Sequence, residues 1–282
     1  MGTVIITGNA RVAEHYYRLS FELPRAAAAK IRPGQFLEVK VSDSPQPFLR
    51  KPLSYHRVAA KGAKGLAEIL YEVIGEGTQI LSGRKRGEPL DIIGPLGNGF
   101  ILPKFHPRGG GGAVLVGGGI GVAPLLMLAE ELVNGLKVKG VRVLLGAKTK
   151  DHILCEKEFK QLGCDIAIAT DDGSKGYKGF VSELLKEALT TNDGSTGPPP
   201  LEPSRAQSRG QPLTTIYACG PKPMLKEVAG LSARHKIPCQ VLLEEYMACG
   251  IGVCLGCPVM TKDGYKMVCK DGPVFEASEV IW

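Results

Sequence analysis

The first third of the chain alternates apolar and polar residues in short runs, which glycine, proline, aspartate and lysine interrupt. This period of two residues is typical of strands that bury one face, and many such strands favour a closed antiparallel barrel. The predicted strands are Val4–Ile6, Tyr16–Glu22, Phe36–Val41, Leu53–Arg57, Ala67–Val73 and Pro89–Ile93. We therefore expect a β-barrel domain over residues 1–105.

From about residue 112 the pattern changes to apolar runs that alternate with segments of helical periodicity. The predicted strands are Ala113–Val116, Val141–Ala147, Asp165–Thr170 and Thr214–Ala218. The predicted helices are Leu125–Asn134, Leu154–Leu162, Phe180–Leu189 and Pro223–His235. Such alternation predicts a doubly wound parallel α/β domain, which we assign to residues 112–245, with ligands at the carboxyl ends of its strands.

Two stretches interrupt this pattern of predicted strands and helices. Gly109–Gly112 is a run of four glycines and predicts a hinge before the α/β domain. Thr191–Pro212 is rich in proline, glycine and serine and poor in apolar residues. That composition predicts a flexible surface insertion without a catalytic role.

The last part of the chain, residues 246–282, carries four cysteines in a distinctive spacing, Cys249-x4-Cys254-x2-Cys257-x11-Cys269. This is the spacing of plant-type [2Fe–2S] ligands. Glycines stand between the first three, and glycine permits the unusual backbone angles that a loop around a cluster needs. A zinc site or chance spacing is the alternative, but structural zinc sites usually combine two close pairs, or one pair with histidines. We predict a small [2Fe–2S] domain.

Composition and charge argue against nucleic-acid binding and against a membrane-spanning segment. The chain has 282 residues and a net charge of +7, with its cations scattered rather than clustered. This distribution is typical of a solvated surface and does not indicate nucleic-acid binding. The longest apolar run, Ala113–Ala129, is interrupted by glycines and a proline and falls short of the roughly 20 residues that span a membrane.

The N-terminal residues show no signal peptide, so we expect a cytoplasmic protein without a membrane span. In a reducing compartment, cysteines more often serve as ligands than as disulfides.

Three short motifs suggest anion or cofactor binding. The run Arg50-Lys51-Pro52-Leu53-Ser54 places two cations and a hydroxyl at the start of a strand, where they could hold a pyrophosphate or a flavin edge. Gly75-x-Gly77-Thr78 opens a helical segment, Gln79–Gly83, and could expose amides to phosphate. An ordinary turn explains such a short glycine motif as well.

The strongest nucleotide signal follows the strand Ala113–Val116. Four glycines and a proline stand there in one short loop: Gly117, Gly118, Gly119, Gly121 and Pro124. Strand, glycine loop and helix form a phosphate-binding arrangement, although a tight turn without a ligand is the alternative. Asp171 and Asp172 directly follow the predicted strand Asp165–Thr170, at its carboxyl end. They could bond ribose hydroxyls and repel a 2′-phosphate, which favours NADH, or they could form a solvated turn.

These motifs occur in an order that resembles the ferredoxin–NADP reductase superfamily. The order is Pro33–Phe36, the Arg50–Ser54 run, Gly75–Thr78 and a turn, Gly94–Phe100. The resemblance implies FAD, with phosphate contacts from the cation before the proline and from Gly77 and Thr78. It also places Ser54 and the strand residues Leu70, Tyr71 and Glu72 beside the flavin. The family usually has arginine directly before the proline, whereas this chain has Lys51 there and Arg50 behind it, so both remain candidates.

In the nicotinamide domain of the same superfamily the loop reads Gly-Gly-x-Gly-x-x-Pro, as it does here from Gly118. The resemblance extends to Cys219, Gly220 and Pro221, an element that borders the nicotinamide and whose cysteine stands near the hydride path. A buried structural cysteine is the alternative for Cys219.

The cysteine region and the Cys-x-Asp-Gly-Pro-Val-Phe ending resemble, more narrowly, electron-transfer subunits of NAD-dependent dihydroorotate dehydrogenases. That resemblance covers nearly the whole chain except Thr191–Pro212. It implies electron flow from an FMN-containing catalytic partner through [2Fe–2S] and FAD to NAD+, in pyrimidine biosynthesis, within a heterotetramer of two subunits of each kind. Flavin is required between the other two carriers because NADH transfers a pair of electrons and the cluster transfers one.

Two other functions remain open. The small subunit of an NAD(P)H-dependent ferredoxin oxidoreductase or sulfide dehydrogenase resembles the chain in all three domains. A redox sensor that binds nucleotide and cluster without turnover is the other, although the intact loops Gly117–Pro124 and Cys219–Pro221 argue against it.

Overall fold

The computed structural model describes residues 2–44, 46–61, 64–102, 112–190 and 215–282. The predicted insertion, most of the predicted glycine hinge and the histidine at position 106 lie outside these ranges. The chain divides into two compact units. The first contains the N-terminal residues through Phe100 together with Leu243–Val274 and Ile281, and the second contains Ile101–Leu242 with Phe275–Val280 and Trp282.

A closed six-stranded barrel forms most of the first unit and confirms the predicted β-fold. Its strands are β1 (Gly2–Ala13), β2 (Tyr16–Pro24), β3 (Phe36–Lys40), β4 (Lys51–Lys61), β5 (Lys64–Glu72) and β6 (Pro89–Leu96), in the order β1-β2-β5-β4-β3-β6. All of its strand pairs are antiparallel. Two helices connect strands: α1 (Arg25–Ala28) and α2 (Glu76–Ser82). The core is filled by side chains that alternate along the strands, such as Leu19, Phe21 and Ile69, which are completely buried.

The second unit holds the predicted parallel sheet. Its strands are β7 (Ala113–Gly118), β8 (Val141–Ala147), β9 (Asp165–Thr170), β10 (Tyr177–Lys178), β11 (Thr215–Cys219) and β12 (Cys239–Leu242). Its helices are α3 (Ala123–Glu130), α4 (Glu156–Gln161), α5 (Val181–Thr190) and α6 (Lys222–His235). Strands β8 and β9 have the predicted bounds, whereas β10 and β12 were not predicted. Helix α3 ends earlier than predicted and continues as a π-helical turn, Glu131–Gly135.

The C-terminal part adds three strands, β13 (Pro258–Thr261), β14 (Gly264–Met267) and β15 (Val274–Glu276). Strands β13 and β14 form a hairpin. Strand β15 joins the large sheet, whose order is β10-β9-β8-β7-β11-β12-β15. Within the described part of the chain, no helix is both long enough and apolar enough to cross a bilayer.

Candidate functional site

The four cysteines of the predicted cluster lie on one segment, three before the β13–β14 hairpin and Cys269 after it. The hairpin reverses the chain and returns Cys269 to Cys257, whose sulfur accepts a hydrogen bond from the amide of Cys269 at 3.4 Å. The neighbouring amide of Val268 donates to the carbonyl of Cys257 at 2.9 Å. The spacing of eleven residues between these cysteines is therefore the length of one hairpin.

Backbone amides surround the sulfur of Cys249. The amides of Ile251, Val253 and Cys254 lie 3.5, 3.3 and 3.4 Å from its Sγ. Burial raises the pKa of the Cys249 thiol, but hydrogen bonds from these amides and from the Cys254 side chain lower it more, to about 6. The thiolate is the form of cysteine that binds metal. The first ligand position thus favours thiolate within the geometry of its own loop.

Left-handed backbone makes this amide arrangement possible. Gly250 and Gly252 have φ of +69° and +81°, and Leu255 has +56°, a conformation that side chains rarely adopt. The turn at Gly252 aims its amide at Cys269 Sγ, at 3.1 Å. A Cβ on Gly252 would lie 2.6 Å from Cδ of Lys270, so this close approach requires glycine.

The cysteines differ in exposure: Cys254 is exposed, Cys249 is half-buried, and Cys257 and Cys269 are buried. Among the described residues, no three His, Cys, Asp or Glu side chains converge as the ligands of a single metal ion do. A [2Fe–2S] cluster has two irons and takes four thiolates from one such loop and hairpin. Sulfur atoms that accept hydrogen bonds from backbone amides, on a loop with residues in the left-handed conformation, fit such a cluster.

The turn Gly94–Phe100 holds the segment that carries Cys269. Asn98 donates from its side-chain amide to the carbonyls of Lys270 and Asp271, at 3.1 and 3.0 Å. Its backbone amide donates to Gly272 at 2.6 Å. This motif of the barrel therefore positions a predicted cluster ligand, a role that the sequence did not indicate.

The two candidate cations of the FAD motif have different surroundings. Arg50 makes a two-pronged ion pair with Asp91 of β6, with Nη2–Oδ2 at 2.7 Å and Nη1–Oδ1 at 3.2 Å. Lys51 opens β4, and its aliphatic chain packs against Gly77 in the first turn of α2. Within the described ranges Lys51 makes no ion pair. Its ammonium group is therefore available to an anion beside α2.

The remaining residues of this motif continue along β4, half-buried: Pro52, Leu53 and Ser54. They pair with Glu38, Leu37 and Phe36 of β3.

The loop before α2 is stabilised from within. The Thr78 hydroxyl accepts from the amides of Ile74 and Gly75 at 3.1 and 3.3 Å and donates to the Gly75 carbonyl. A Cβ on Gly75 would meet no atom within 4 Å, so the loop presents an open face. Together with Lys51, this open face fits a pyrophosphate, whereas the hydroxyl of Thr78 already serves the turn.

Strand β5 supports the other end of α2. Leu70 and Tyr71 are buried, while Glu72 is partly exposed. The Tyr71 hydroxyl donates to Oδ1 of Asn9 at 3.1 Å, and the Asn9 amide donates to the carbonyls of Leu81, Ser82 and Arg84. Tyr71 thus acts on α2 through Asn9, a relay that sequence reasoning missed.

In the second unit, the glycine loop lies at the carboxyl end of β7. Gly117 and Gly118 end the strand, a short 3-10 turn covers Gly119–Val122, and Pro124 lies in the first turn of α3. Gly119 has φ of +55°, and a Cβ there would meet nothing within 4 Å. Its open backbone fits the close approach of a dinucleotide phosphate.

This loop packs directly on the element after β11. A Cβ on Gly121 would lie 2.5 Å from the carbonyl oxygen of Cys219 and 2.6 Å from Cα of Gly220. A Cβ on Gly118 would lie 3.0 Å from Cδ of Pro221. The structure therefore brings the two predicted elements together, with Cys219 fully buried at the end of β11.

The two predicted acidic residues after β9 differ in their contacts. Asp172 accepts from the amide and the hydroxyl of Ser174 at 2.9 and 2.7 Å, and these bonds lower its pKa. The Ser174 hydroxyl accepts from the amide of Lys150 at 2.7 Å. The side chain of Asp171 makes no hydrogen bond within the described segments. Asp172 forms the turn, and the carboxylate of Asp171 remains available for a ligand.

A small pocket opens at the carboxyl ends of β7 and β8. Besides the glycine loop, it is lined by residues that sequence reasoning missed: Leu145, Gly146, Ala147, His152, Ile153 and Leu154. His152 Nδ1 lies 2.9 Å from the Thr149 hydroxyl, and this contact fixes its ring. The strand–loop pattern after β8 was the signal that could have identified this wall.

Two family models match the chain. Residues 244–281 match the iron–sulfur cluster binding domain of dihydroorotate dehydrogenase B, and residues 115–230 match an oxidoreductase NAD-binding domain.

The chain is 39% identical to a Desulforamulus reducens protein over 96% of this chain and 94% of that one. It is 41% identical to a Geobacillus protein over 88% and 86%. Both relatives are named as the electron transfer subunit of dihydroorotate dehydrogenase B (NAD(+)).

Among solved structures, an NADH-dependent reduced ferredoxin–NADP oxidoreductase matches with a TM-score of 0.79 and 28% identity, over 99% of this chain and 90% of that one. The cytochrome b5 reductase domain of Ulva prolifera nitrate reductase matches with a TM-score of 0.60 and 17% identity, over 83% and 93%, and shares the fold.

Proposed function

The chain belongs to the family of electron-transfer subunits of NAD-dependent dihydroorotate dehydrogenase B, and we propose that it passes electrons from a dihydroorotate-oxidising partner to NAD+. It is an oxidoreductase subunit that uses FAD, a [2Fe–2S] cluster and NAD(H). The observation that carries this function is the set of four cysteines within the segment that matches the cluster domain, with backbone amides directed at the sulfurs of Cys249, Cys257 and Cys269.

The cofactors divide the chemistry by electron number, since the cluster transfers single electrons, NAD+ accepts a pair as hydride, and FAD exchanges both ways. The protein's part is to bind and orient these groups. Cys249, Cys254, Cys257 and Cys269 hold the cluster. No side chain is required as a general acid or base.

For FAD, Lys51 rather than Arg50 is the phosphate-binding cation. Arg50 is held by Asp91, whereas Lys51 lies along the open loop before α2. Ser54 and the strand Leu70–Glu72 border the flavin, and the amides at Gly77 and Thr78 approach the pyrophosphate. For NAD(H), the loop Gly117–Pro124 takes the pyrophosphate and Asp171 takes the ribose.

The partner is an FMN-containing catalytic subunit, in a heterotetramer with two subunits of each kind, in the cytoplasm. On this chain, the surface that docks the partner is the apolar rim of the cluster loop, which we define as Tyr246, Ile251, Val253 and Leu255. These side chains are 94%, 53%, 73% and 65% exposed. Exposed apolar side chains at the rim of a redox centre are typical of an interface.

The proposal is tested with an anaerobic visible spectrum of the purified chain, titrated separately with NADH and NADPH. Flavin and iron–sulfur bands that NADH alone bleaches are expected. Mixed with a dihydroorotate dehydrogenase catalytic subunit, the chain should support NAD+ reduction by dihydroorotate. Val253→Asp should weaken that complex, while Tyr265→Asp on β14, similarly exposed at 69%, should not.

A second function is favoured by one observation, the structural match over 99% of the chain to an NADH-dependent reduced ferredoxin–NADP oxidoreductase. In that case ferredoxin replaces dihydroorotate as the electron donor. Bleaching by NADPH in preference to NADH, with no response to a dihydroorotate dehydrogenase partner, would select this function. Bands that neither nucleotide bleaches would contradict both functions.

A further inference from the structure

One buried carboxylate of the barrel has no role in the site described so far. Glu38 lies in the middle of β3, between Leu37 and Val39, and its side chain is completely buried. Neither of its carboxylate oxygens has a hydrogen-bond partner in the described parts of the chain. A buried polar group without a partner costs free energy, so its presence in the barrel calls for an explanation.

The side chain of Glu38 lies beneath the cluster loop. A Cβ on Gly250 would lie 2.8 Å from Cγ and 3.1 Å from Oε1 of Glu38. Leu96 closes the same space, with its Cδ1 3.0 Å from that position. The carboxyl group is therefore packed against the residue that follows the first cluster ligand, in a place that water does not reach.

The charges around Glu38 come from both cofactor motifs. Burial raises the pKa of Glu38 to about 7, Arg50 and Lys51 oppose that rise, and Cys249 adds to it. Lys51 opens β4 and Arg50 directly precedes it, and β4 pairs with β3 so that Pro52 lies opposite Glu38. A charge in this low-dielectric position acts strongly on any charge that the loop gains.

We propose that Glu38 is a positioning residue that sets the reduction potential of the cluster, through a carboxylate fixed under the Cys249–Cys254 loop. Reduction adds one negative charge to the cluster, and a carboxylate nearby opposes it. Glu38 therefore makes the cluster a stronger reductant, which favours onward transfer toward FAD. This inference rests on the proposed cluster, and the experiment distinguishes failure of the role of Glu38 from absence of the cluster.

The experiment measures the midpoint potential of the cluster by redox titration monitored by EPR, in the FAD-loaded full chain at pH 9. Glu38→Gln keeps the shape and removes the charge, and Glu38→Met removes the charge and the polar atoms. Both variants should retain full iron and sulfide and shift the potential in the positive direction. At a fixed solution potential, the ratio of reduced to oxidised cluster should rise by roughly three- to tenfold. Glu38→Asp should restore most of the wild-type value.

Glu68→Gln is the matched control, because Glu68 has one buried oxygen without a partner but lies on β5, which pairs with β2 and β4 and not with β3. It should leave the potential unchanged. Unchanged potentials in Glu38→Gln and Glu38→Met, with the cluster present, would overturn the inference alone. Loss of the cluster from both neutral variants would overturn it too, since Glu38 would then be structural. Wild-type protein without iron and sulfide would refute the proposed function itself.

Discussion

The side chain of Lys51 occupies the space that a Cβ on Gly77 would need. Lys51 opens β4 and Gly77 lies in the first turn of α2, so the contact joins two motifs that are separated in the sequence. Because glycine leaves this space, the stem of Lys51 can pack against the first turn of α2. This contact brings the two motifs of the proposed FAD phosphate site together.

Gly77→Ala should displace Lys51 and weaken FAD binding about tenfold, since the added methyl group meets the lysine stem. The measurement is the dissociation constant of FAD from flavin fluorescence during reconstitution of the apoprotein. Gly83→Ala is the control at the other end of α2, where a Cβ meets only an ordinary contact at 3.4 Å. Equal FAD affinities in the two variants would contradict the role of this contact.

Lys51→Met should weaken FAD binding by at least about tenfold, because a hydrogen-bonded charge pair with phosphate is lost. Arg50→Gln should change the affinity less than about threefold and instead lower the free energy of unfolding by about 1 kcal/mol, through loss of the partly exposed pair with Asp91. FAD titrations and urea unfolding of both variants distinguish these outcomes. A larger loss of FAD affinity in Arg50→Gln would assign the phosphate to Arg50.

Cys254→Ser should remove the [2Fe–2S] cluster and leave FAD bound, because a proposed cluster ligand is lost while the proposed flavin motifs lie in the barrel. Iron, acid-labile sulfide and flavin contents measure this directly. Cys164→Ser is the control, since Cys164 lies outside the cluster loop and burial raises its pKa to about 11. Full iron and sulfide in Cys254→Ser would show that the ligand assignment is wrong.

Asp171→Asn should reduce the preference for NADH over NADPH by about tenfold, because a carboxylate that repels the 2′-phosphate is neutralised. Asp172→Asn should raise KM for both nucleotides similarly, since Asp172 holds the turn through Ser174. The ratio of kcat/KM values for the two nucleotides is measured with an artificial electron acceptor. It distinguishes a change in nucleotide preference from a loss of order in the turn that Asp172 holds. The same change of ratio in both variants would count against Asp171 as the specificity residue.

Glu156→Gln should lower the free energy of unfolding by about 1 kcal/mol at pH 7, because Glu156 bridges Lys160, at 2.7 Å, and Lys175. These hydrogen bonds lower the pKa of Glu156 below its usual value. A lowered carboxyl pKa gives stability that is present above the unfolded pKa and is lost as the pH falls through the folded pKa. The difference between wild type and variant in urea unfolding should therefore shrink as the pH falls below the usual pKa of glutamate, and a difference that does not shrink would contradict the electrostatic cause.

Patterns that are local in the chain predicted much of this structure. The strands Val141–Ala147 and Asp165–Thr170 have the bounds that their mainly apolar composition indicated, since the strands of a parallel sheet are rich in apolar residues. The short strands β10 and β15, of two and three residues, give no comparable signal, because sheet neighbours rather than their own composition define them.

The candidate cluster site was also predicted locally. Four cysteines with glycines between them indicate a cluster loop because the loop's amides and backbone angles are set within about a dozen residues. The support of the cluster segment by the barrel, in contrast, depends on contacts between residues that are distant in the sequence. Asn98 reaches Lys270 and Asp271 from 172 and 173 positions away, so its role in holding the Cys269 segment follows from packing alone.

Two cations side by side, Arg50 and Lys51, are equivalent in the sequence. The tertiary structure separated them, because β6 brings Asp91 to one and α2 brings Gly77 to the other. Glu38 is likewise an ordinary strand residue until the cluster loop covers it. The sequence by itself determined which chemical groups the chain carries and at what spacing. Which of those groups are paired, buried or left available was decided only by tertiary structure, since charge and solvation depend on neighbours that the chain brings from far away.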